Sequence, residues 1–474
     1  MIRPWQLEFL RSAFVMESDV SDIADVDIWI EEIRSENEAT IRQKPIADLD
    51  KWKLEPLSGN LSHVTGRFFT IEGITVRTNW GSVAEWDQPI IRQPEVGILG
   101  FIVKKIAGQL HFLVQAKIEP GNINLVQLSP TLQATKSNYT QAHMGTKPAF
   151  LELFTKTASS HILVDQLQSE QGARFLSKRN RNIIVEIDED RGIELPTNFR
   201  WFTLGQLKKL LRRDNLINMD SRTVLSSISY GTGTQDVADV LKILFFENES
   251  DGKLLISALK GDQGYRDFNY ILSWITALKT QYELEVRPKG LSAVREWGYY
   301  DGEYRRFDGR FFKVIGVSAQ VRGREVSAWD QPMVQPTQSG LIAFLLKEID
   351  GVIHFLVQAK LEPGNFDIIE LAPTVQCLTG DFRSGKSEYY VPYLEEVLSA
   401  PSDAVLFDAH QSEEGGRFFQ ESNRSMLVLV DERFDVSVHG NYCWMTLGQL
   451  YRFMEFNNYL NMAARSLISC ISFV

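Results

Sequence analysis

The residues of this chain that could do chemistry gather in a few short polar blocks. One is His111-Phe-Leu-Val-Gln-Ala-Lys-Ile-Glu-Pro-Gly-Asn122. Strand alternation puts His111, Leu113, Gln115 and Lys117 on one face and Phe112, Val114 and Ala116 on the other. A face of His, Gln and Lys suits the wall of a polar cavity. Glu119 and Asn122 follow at the strand end, where ligand contacts often sit; a hairpin turn with a solvated Glu is the plainer reading. A second block is Pro130-Thr-Leu-Gln-Ala-Thr-Lys-Ser-Asn-Tyr139. The donors of Thr135, Ser137 and Asn138 beside Lys136 suit an anionic ligand such as a diphosphate. Tyr139 could stack on a base or donate a proton. A third block, Gln168-Ser-Glu-Gln-Gly-Ala-Arg174, combines amide, hydroxyl, carboxylate and guanidinium. Lys178-Arg-Asn-Arg181 could bind phosphate, but a solvated basic run is the preferred reading. His63 reads more readily as structural than catalytic. Trp52, Trp86 and Trp201 read as packing residues unless one stacks on a base or sugar.

Several familiar signatures are missing. There is no Gly-x-x-x-x-Gly-Lys-Ser/Thr phosphate loop, no convincing Gly-x-Gly-x-x-Gly after a strand, no His-Glu-x-x-His and no paired Cys-x-x-Cys. Three cysteines, Cys377, Cys443 and Cys470, make neither a disulfide framework nor a zinc cluster and fit a reducing cytoplasm. The expectation is no cofactor and no metal, with the chemistry done by ordinary polar side chains.

These blocks need elements to hold them. Runs 97–104 and 109–117 read as a hairpin turning at Ala107-Gly108. Runs 125–128 and 182–187 read as further strands. Thr203 is a good N-cap for a helix over 204–213, with Leu204, Leu207, Leu210 and Leu211 on one face. Runs 28–39 and 270–279 carry helical patterning.

The larger organisation is a duplication. The 111–122 block recurs as His354-Phe-Leu-Val-Gln-Ala-Lys-Leu-Glu-Pro-Gly-Asn365, identical at eleven of twelve positions and displaced by 243 residues. The same displacement maps Trp86-Asp-Gln-Pro89 onto Trp329-Asp-Gln-Pro332, Gln168-Ser-Glu170 onto Gln411-Ser-Glu413 and Asn218-Met219 onto Asn461-Met462, with no gap from Arg67 to Ser229. So long a period is a duplicated domain, not a solenoid repeat. The expected division is a first repeat over 1–230, a linker with a connecting helix (237–246) over 231–269, and a second repeat over 270–474. Each repeat is expected to be α+β, a mixed, mostly antiparallel sheet with flanking helices. The copies differ at telling positions: His63 faces Arg306, Lys136-Ser-Asn-Tyr139 faces Thr379-Gly-Asp-Phe382, and Asp220 faces Ala463. Titratable groups kept in one copy predict one working site, in the first repeat.

At 474 residues the chain is too long for one core of about 100–200 residues. An apolar share of 44 % argues against disorder, and a net charge of −11 argues against nucleic acid as a partner. No apolar run approaches the roughly 20 residues of a membrane span, and the N-terminus lacks the pattern of a secretory signal. No nucleic-acid or membrane partner is expected.

Trp86-Asp-Gln-Pro-Ile90, Gln93-Pro-Glu-Val-Gly-Ile-Leu-Gly100, Gln115 to Asn122, Gln127-Leu-Ser-Pro-Thr-Leu-Gln-Ala-Thr135, Leu167-Gln-Ser-Glu-Gln-Gly172, Lys178-Arg-Asn-Arg-Asn182 and Asn218-Met-Asp-Ser-Arg-Thr-Val-Leu225 together resemble the nucleotide-diphosphate-hexose 2,3-dehydratases. The resemblance runs from about Ile28 to near the C-terminus. Leu132 and Lys136 depart from it, standing where Val and Arg are usual, and Ala173-Arg174 sits where the family often has other residues. Lys keeps the charge but loses the guanidinium fork.

The resemblance implies a cytoplasmic lyase of deoxysugar biosynthesis. It implies a thymidine-diphosphate-linked 4-keto-6-deoxyhexose that loses its 2-hydroxyl as water, and coupling to a 3-ketoreductase that reduces the product. It implies two Nudix-like domains in tandem and a homodimer, although the Glu-rich, magnesium-binding Nudix helix is lacking here. Base and acid would come from His63, Glu119, Tyr139, Glu170 and Asp220. Lys117, Asn122, Lys136, Ser137 and Arg174 would contact diphosphate and sugar, and Trp52 or Trp297 would stack on thymine. Trp86, Gln115, Thr135, Asn138, Gln168, Ser169 and Arg222 complete the first repeat's binding set. Gln358, Lys360, Glu362, Asn365, Gln411, Ser412 and Arg417 are the second repeat's candidates. A non-catalytic nucleotide-sugar binder is the alternative.

Overall fold

The computed structural model describes residues 2–136, 147–156, 158, 161–233, 250–322, 326–378 and 390–473. The first repeat contributes β1 (Ala39–Lys44), β2 (Trp52–Leu54), β3 (Leu61–His63), β4 (Thr70–Thr78), β5 (Glu85–Arg92), β6 (Gly97–Ile106), β7 (Gln109–Ile118), β8 (Val126–Ser129), β9 (Leu132–Ala134), β10 (Ile162–Ser169), β11 (Arg179–Ile187) and β12 (Phe199–Phe202). The second contributes β13 (Leu284–Lys289), β14 (Trp297–Tyr300), β15 (Glu303–Arg306), β16 (Phe312–Val321), β17 (Ala328–Pro336), β18 (Gly340–Ile349), β19 (Val352–Lys360), β20 (Glu370–Ala372), β21 (Val375–Leu378), β22 (Val405–Ser412), β23 (Ser422–Leu429) and β24 (Tyr442–Thr446).

Each repeat builds a seven-stranded sheet. The first has order β10-β11-β6-β7-β12, with β8 on β7 and β9 on β6; the second repeats this arrangement. Pairing is antiparallel except for β6 with β11 and β18 with β23. The expected 97–117 hairpin is present, and Ala107 and Gly108 both take positive φ at its turn. One face of β6 and β7 carries Phe101, Phe112 and Val114, which pack with Phe9 and Trp29 from the helices Pro4–Ala13 and Val26–Glu36. Thr203 caps the helix Leu204–Leu210 through a reciprocal pair with Gln206, as its sequence position suggests.

The small sheets are where the repeats interlock. Their orders are β13-β4-β3-β2 and β1-β16-β15-β14, with β5 on β4 and β17 on β16. Each repeat therefore gives its first strand to the other's small sheet. β1 pairs with β16 from Ala39↔Val321 to Lys44↔Gly316, and β13 pairs with β4 from Leu284↔Thr78 to Lys289↔Gly73. Two buried aspartates pin the exchange. Asp87 takes Lys289 at 2.6 Å and Arg295 at 3.0 Å; Asp330 takes Lys44 at 2.7 Å and the Asp50 amide at 2.8 Å. Burial alone would raise the Asp87 carboxyl, but its bonds to Arg295 and Lys289 prevail and hold it well below the usual range.

The stretch 231–269 does more than link. Its helix Ser250–Leu259 is the second copy of Pro4–Ala13. Ser12 Oγ donates to the Leu110 carbonyl and accepts from the Leu204 amide; Ser257 Oγ does the same with Ile353 and Leu447. Sequence similarity between the two helices is too low to reveal this. The connecting helix expected over 237–246 lies outside the described residues. Among the described residues, no helix is long and apolar enough to cross a membrane.

Candidate active site

A cleft of about 1240 Å³ opens where the first repeat's large sheet meets the second repeat. Its floor is β7, β9 and β11, which present Gln115 and Lys117, Gln133, and Asn180 respectively; Glu119 follows β7. Asp220 comes from the first turn of the helix Met219–Ser226. The facing wall belongs to the second repeat: Trp329, Asp330 and Gln331 on β17, and Glu414, Gly416 and Arg417 on the turn after β22. Trp52, His63, Phe68 and Phe69 form an aromatic rim around the β2–β3 hairpin.

The floor is dense in buried charge. Lys117 lies 3.3 Å from Glu119 Oε1, which also accepts from Gln133 at 3.0 Å. Glu119 Oε2 is buried with no hydrogen-bond partner among the described residues. Asn180 donates to Glu170 Oε1 at 2.6 Å, and Lys178 donates to the Glu95 carbonyl. Arg417 donates to the Gly416 carbonyl at 2.8 Å and lies 4.2 Å over the Phe69 ring. Burial pushes the Glu170 carboxyl up to about 6, against the pull of Lys178 and Arg465. Burial, reinforced by Glu414, Glu170 and Glu119, pushes Asp220 well above the carboxylate range. Lys178 is lowered, chiefly by burial. Such shifts follow from burying charged groups, which active sites do often.

Of the residues singled out by sequence, the cleft brings together His63, Glu119, Glu170, Asp220, Trp52, Gln115, Lys117, Thr135 and Arg417. Lys136 is exposed beside Thr135. Ser137, Asn138 and Tyr139 lie outside the described residues.

Other candidates are placed elsewhere, mostly because the repeats bury their polar strand ends against each other. Gln168 donates to the Met454 carbonyl, Ser169 to Glu370, Gln411 to the Leu211 carbonyl and Ser412 to Gln127. Arg222 is fully buried and donates to the carbonyls of Ile217 and Ser412. Asn122 is buried and bonds the Leu125 carbonyl. Trp86 bonds Gln88 on its own strand, and Trp297 is buried against Phe312 and Tyr304. Arg174 lies 4.0 Å over the Phe312 ring, on the second repeat's side. Gln358 and Lys360 lie on β19, Glu362 and Asn365 on the turn after it, and none of them lines the cleft. His111 also stays out, holding Ser18 and the Gln109 carbonyl.

Glu414 and Trp329 are cleft residues that the sequence reading missed, and Lys178 is one that it took for a solvated residue. For two of them the repeat carried the signal: Lys178 aligns with Glu421, and Glu414 with Gln171. The counterpart region of the second repeat keeps the same amide–carboxylate pairs and adds Gln171 to them. Gln171 and Asn423 both donate to Glu413, at 2.6 and 2.7 Å, and Gln376 donates to Glu362 at 3.0 Å.

Comparison with known proteins follows the same two-part division. Residues 23–228 and 268–471 each match a family model described as NDP-hexose 2,3-dehydratase. Three curated relatives carry the name dTDP-4-dehydro-6-deoxy-alpha-D-glucopyranose 2,3-dehydratase. The one from Saccharopolyspora spinosa is 41 % identical over 98 % of this chain and 94 % of its own length. That from Amycolatopsis orientalis is 43 % identical over 94 % and 90 %, and that from Streptomyces violaceoruber 41 % over 95 % and 97 %.

Proposed function

This chain belongs to the NDP-hexose 2,3-dehydratase family, and from that premise we propose that it dehydrates a thymidine-diphosphate-linked 4-keto-6-deoxyglucose in the cleft of its first repeat, residues 1–230. The observation that carries this assignment is the set of carboxyls and cations on the cleft floor, of which the second repeat keeps Lys360, Glu362 and Glu413 but lacks two members. Asp220 stands where Ala463 stands in the copy, and Lys178 where Glu421 stands.

The C4 ketone acidifies the C3 proton, so the first step is proton abstraction with enolate charge on the C4 oxygen. We assign that proton to Glu119. One of its oxygens is held by Lys117 and Gln133, and the other is buried without a partner among the described residues. Lys117, Lys178 and Arg417 supply fixed positive charge for the enolate and the diphosphate. Asp220, raised well above the carboxylate range by burial, keeps its proton beside the cleft floor, while Glu170, raised to about 6, is mostly ionised at pH 7. The rim of Trp52, His63, Phe68 and Trp329 offers faces on which a thymine ring can stack. Thr135 and Lys136 lie at the edge of the floor, in reach of a diphosphate.

Each repeat is read as a Nudix-like domain reused without metal-dependent hydrolysis, and the protein as a cytoplasmic homodimer. The 3,4-diketo product is reactive, which favours coupling to a 3-ketoreductase. The test is a coupled incubation of the 4-keto sugar nucleotide with this protein, a 3-ketoreductase and reduced nicotinamide cofactor. Mass spectrometry and NMR should find a 2-deoxy sugar nucleotide. A product that keeps its 2-hydroxyl would sink the proposal.

A further inference from the structure

The elimination needs two proton carriers: one to take the C3 proton and one to convert the departing hydroxyl into water. We propose that Glu414, carried by the second repeat, is the catalytic acid of the first repeat's cleft and gives its proton to the oxygen leaving C2. The inference rests on the dehydratase reading above and adds a residue that lies outside the first repeat.

Glu414 reaches the cleft because the two repeats are joined there backbone to backbone. The Gly121 amide donates to the Gly415 carbonyl and the Gln420 amide to the Gly121 carbonyl, both at 2.8 Å. Gly121 has to be glycine, since a Cβ would fall 1.8 Å from the Phe418 carbonyl oxygen. These bonds lock the turn bearing Glu414 against the turn bearing Glu119. Glu414 lines the cleft opposite Glu119 and Asp220. Among the described residues, no hydrogen bond holds its carboxyl oxygens, so they are available to a ligand. Its counterpart Gln171 cannot transfer a proton and is already bonded to Glu413. The groups facing Glu414 are Arg417, Glu119, Glu170, Lys117 and Asp220. Burial, with help from Glu119 and Glu170, outweighs Arg417 and pushes its carboxyl up to about 7. It is therefore part-protonated at neutral pH, as an acid serving near pH 7 must be.

The proton count closes. The base takes the proton from C3, and its electron pair forms the C3–C4 enolate. The enolate re-forms the C4 carbonyl and the C2–C3 double bond while the C2–O bond breaks, its pair leaving with oxygen. The Glu414 proton completes water. The C3 enol then returns its hydroxyl proton to the Glu414 carboxylate, and C2 takes the proton first removed from C3. Both groups end as they began, and nothing is oxidised or reduced overall.

The test is Glu414→Gln in the full chain, a change that the counterpart position shows the fold can carry. Turnover in the ketoreductase-coupled assay should fall about 100-fold or more. Thymidine diphosphate affinity, measured by calorimetry, should stay within about threefold, since the loss is one of proton transfer. Wild-type kcat should decline above about pH 7 as Glu414 loses its proton, and the residual rate of the variant should lack that limb. A fall of less than about tenfold, a retained limb, or loss of nucleotide binding along with turnover would each overturn the assignment. A wild-type protein that made no 2-deoxy product would count against the function itself, a separate failure.

Discussion

Asp220 shows what the site costs at the level of one residue. It is buried, its carboxyl is raised by burial and by three neighbouring glutamates, and the same helix in the second repeat carries Ala463. A carboxyl with a raised native pKa keeps its proton in the fold at a pH where the unfolded chain has released it. The native state then binds more protons than the unfolded one, so stability falls as pH climbs from the ordinary value of 3.8 towards the raised one. Glu170 and Glu414 act in the same sense over windows from 4.5 to about 6 and to about 7. Asp220→Asn removes one such penalty. The variant should be more stable than wild type at pH 8 and nearly equal to it at pH 4, while turnover drops at least tenfold. Thermal melts at both pH values check this, and an equal gain at the two would refute the buried-charge account. Asp220 was legible because it sits in a conspicuous block and its copy is Ala. Lys178 was hidden in a basic run whose two arginines stay half-buried outside the cleft. Glu414 was hidden because its block was read as part of another domain. Residue type and spacing say little about which side of an interface a side chain meets.

At the scale of elements, local patterning carried most of the strands and helices of the large sheets. Apolar alternation and the Ala107-Gly108 turn are short-range signals, and the β6–β7 hairpin follows from them. The strand exchange left no such mark. β1 is an edge strand with little apolar periodicity, and its partner lies more than 270 residues away at Lys44↔Gly316. What selects that pairing is space. A Cβ on Gly316 would sit 2.4 Å from the Lys44 carbonyl oxygen, and backbone cannot move aside as a side chain can. Gly316→Ala should therefore cost about 1–3 kcal/mol in denaturant unfolding. Because β16 and β17 carry Trp329, Asp330 and Gln331 to the cleft, KM should rise more than kcat falls. Gly192→Ala, where an added Cβ meets nothing within 4 Å, is the control and should change neither. A neutral Gly316→Ala would mean that β1 is only loosely held.

The displacement of 243 residues gave the right number of copies and suggested two beads on a string. The structure is instead a pair that shares its parts. Each small sheet contains a strand of the other repeat. The helices Met219–Ser226 and Met462–Ser469 pack together at the centre, and their arginines cross over: Arg222 donates to the Ser412 carbonyl, Arg465 to that of Ser169. Both guanidiniums are fully buried, and each meets a carbonyl of the opposite repeat that only the joined halves provide. The cleft itself takes Lys117 and Glu119 from one copy and Arg417 from the other. Interdependence of this kind explains how one copy could lose Asp220 and Lys178 without being discarded: it still supplies a wall, a strand and an arginine. The expectation is that fragments 1–233 and 250–474, expressed apart, neither unfold cooperatively nor turn over substrate. Expressed together they should associate and recover dehydration, while the intact chain unfolds in a single transition. Two separate transitions in the intact chain, or activity from the first fragment alone, would show that the repeats are independent domains and that the exchanged strands are incidental.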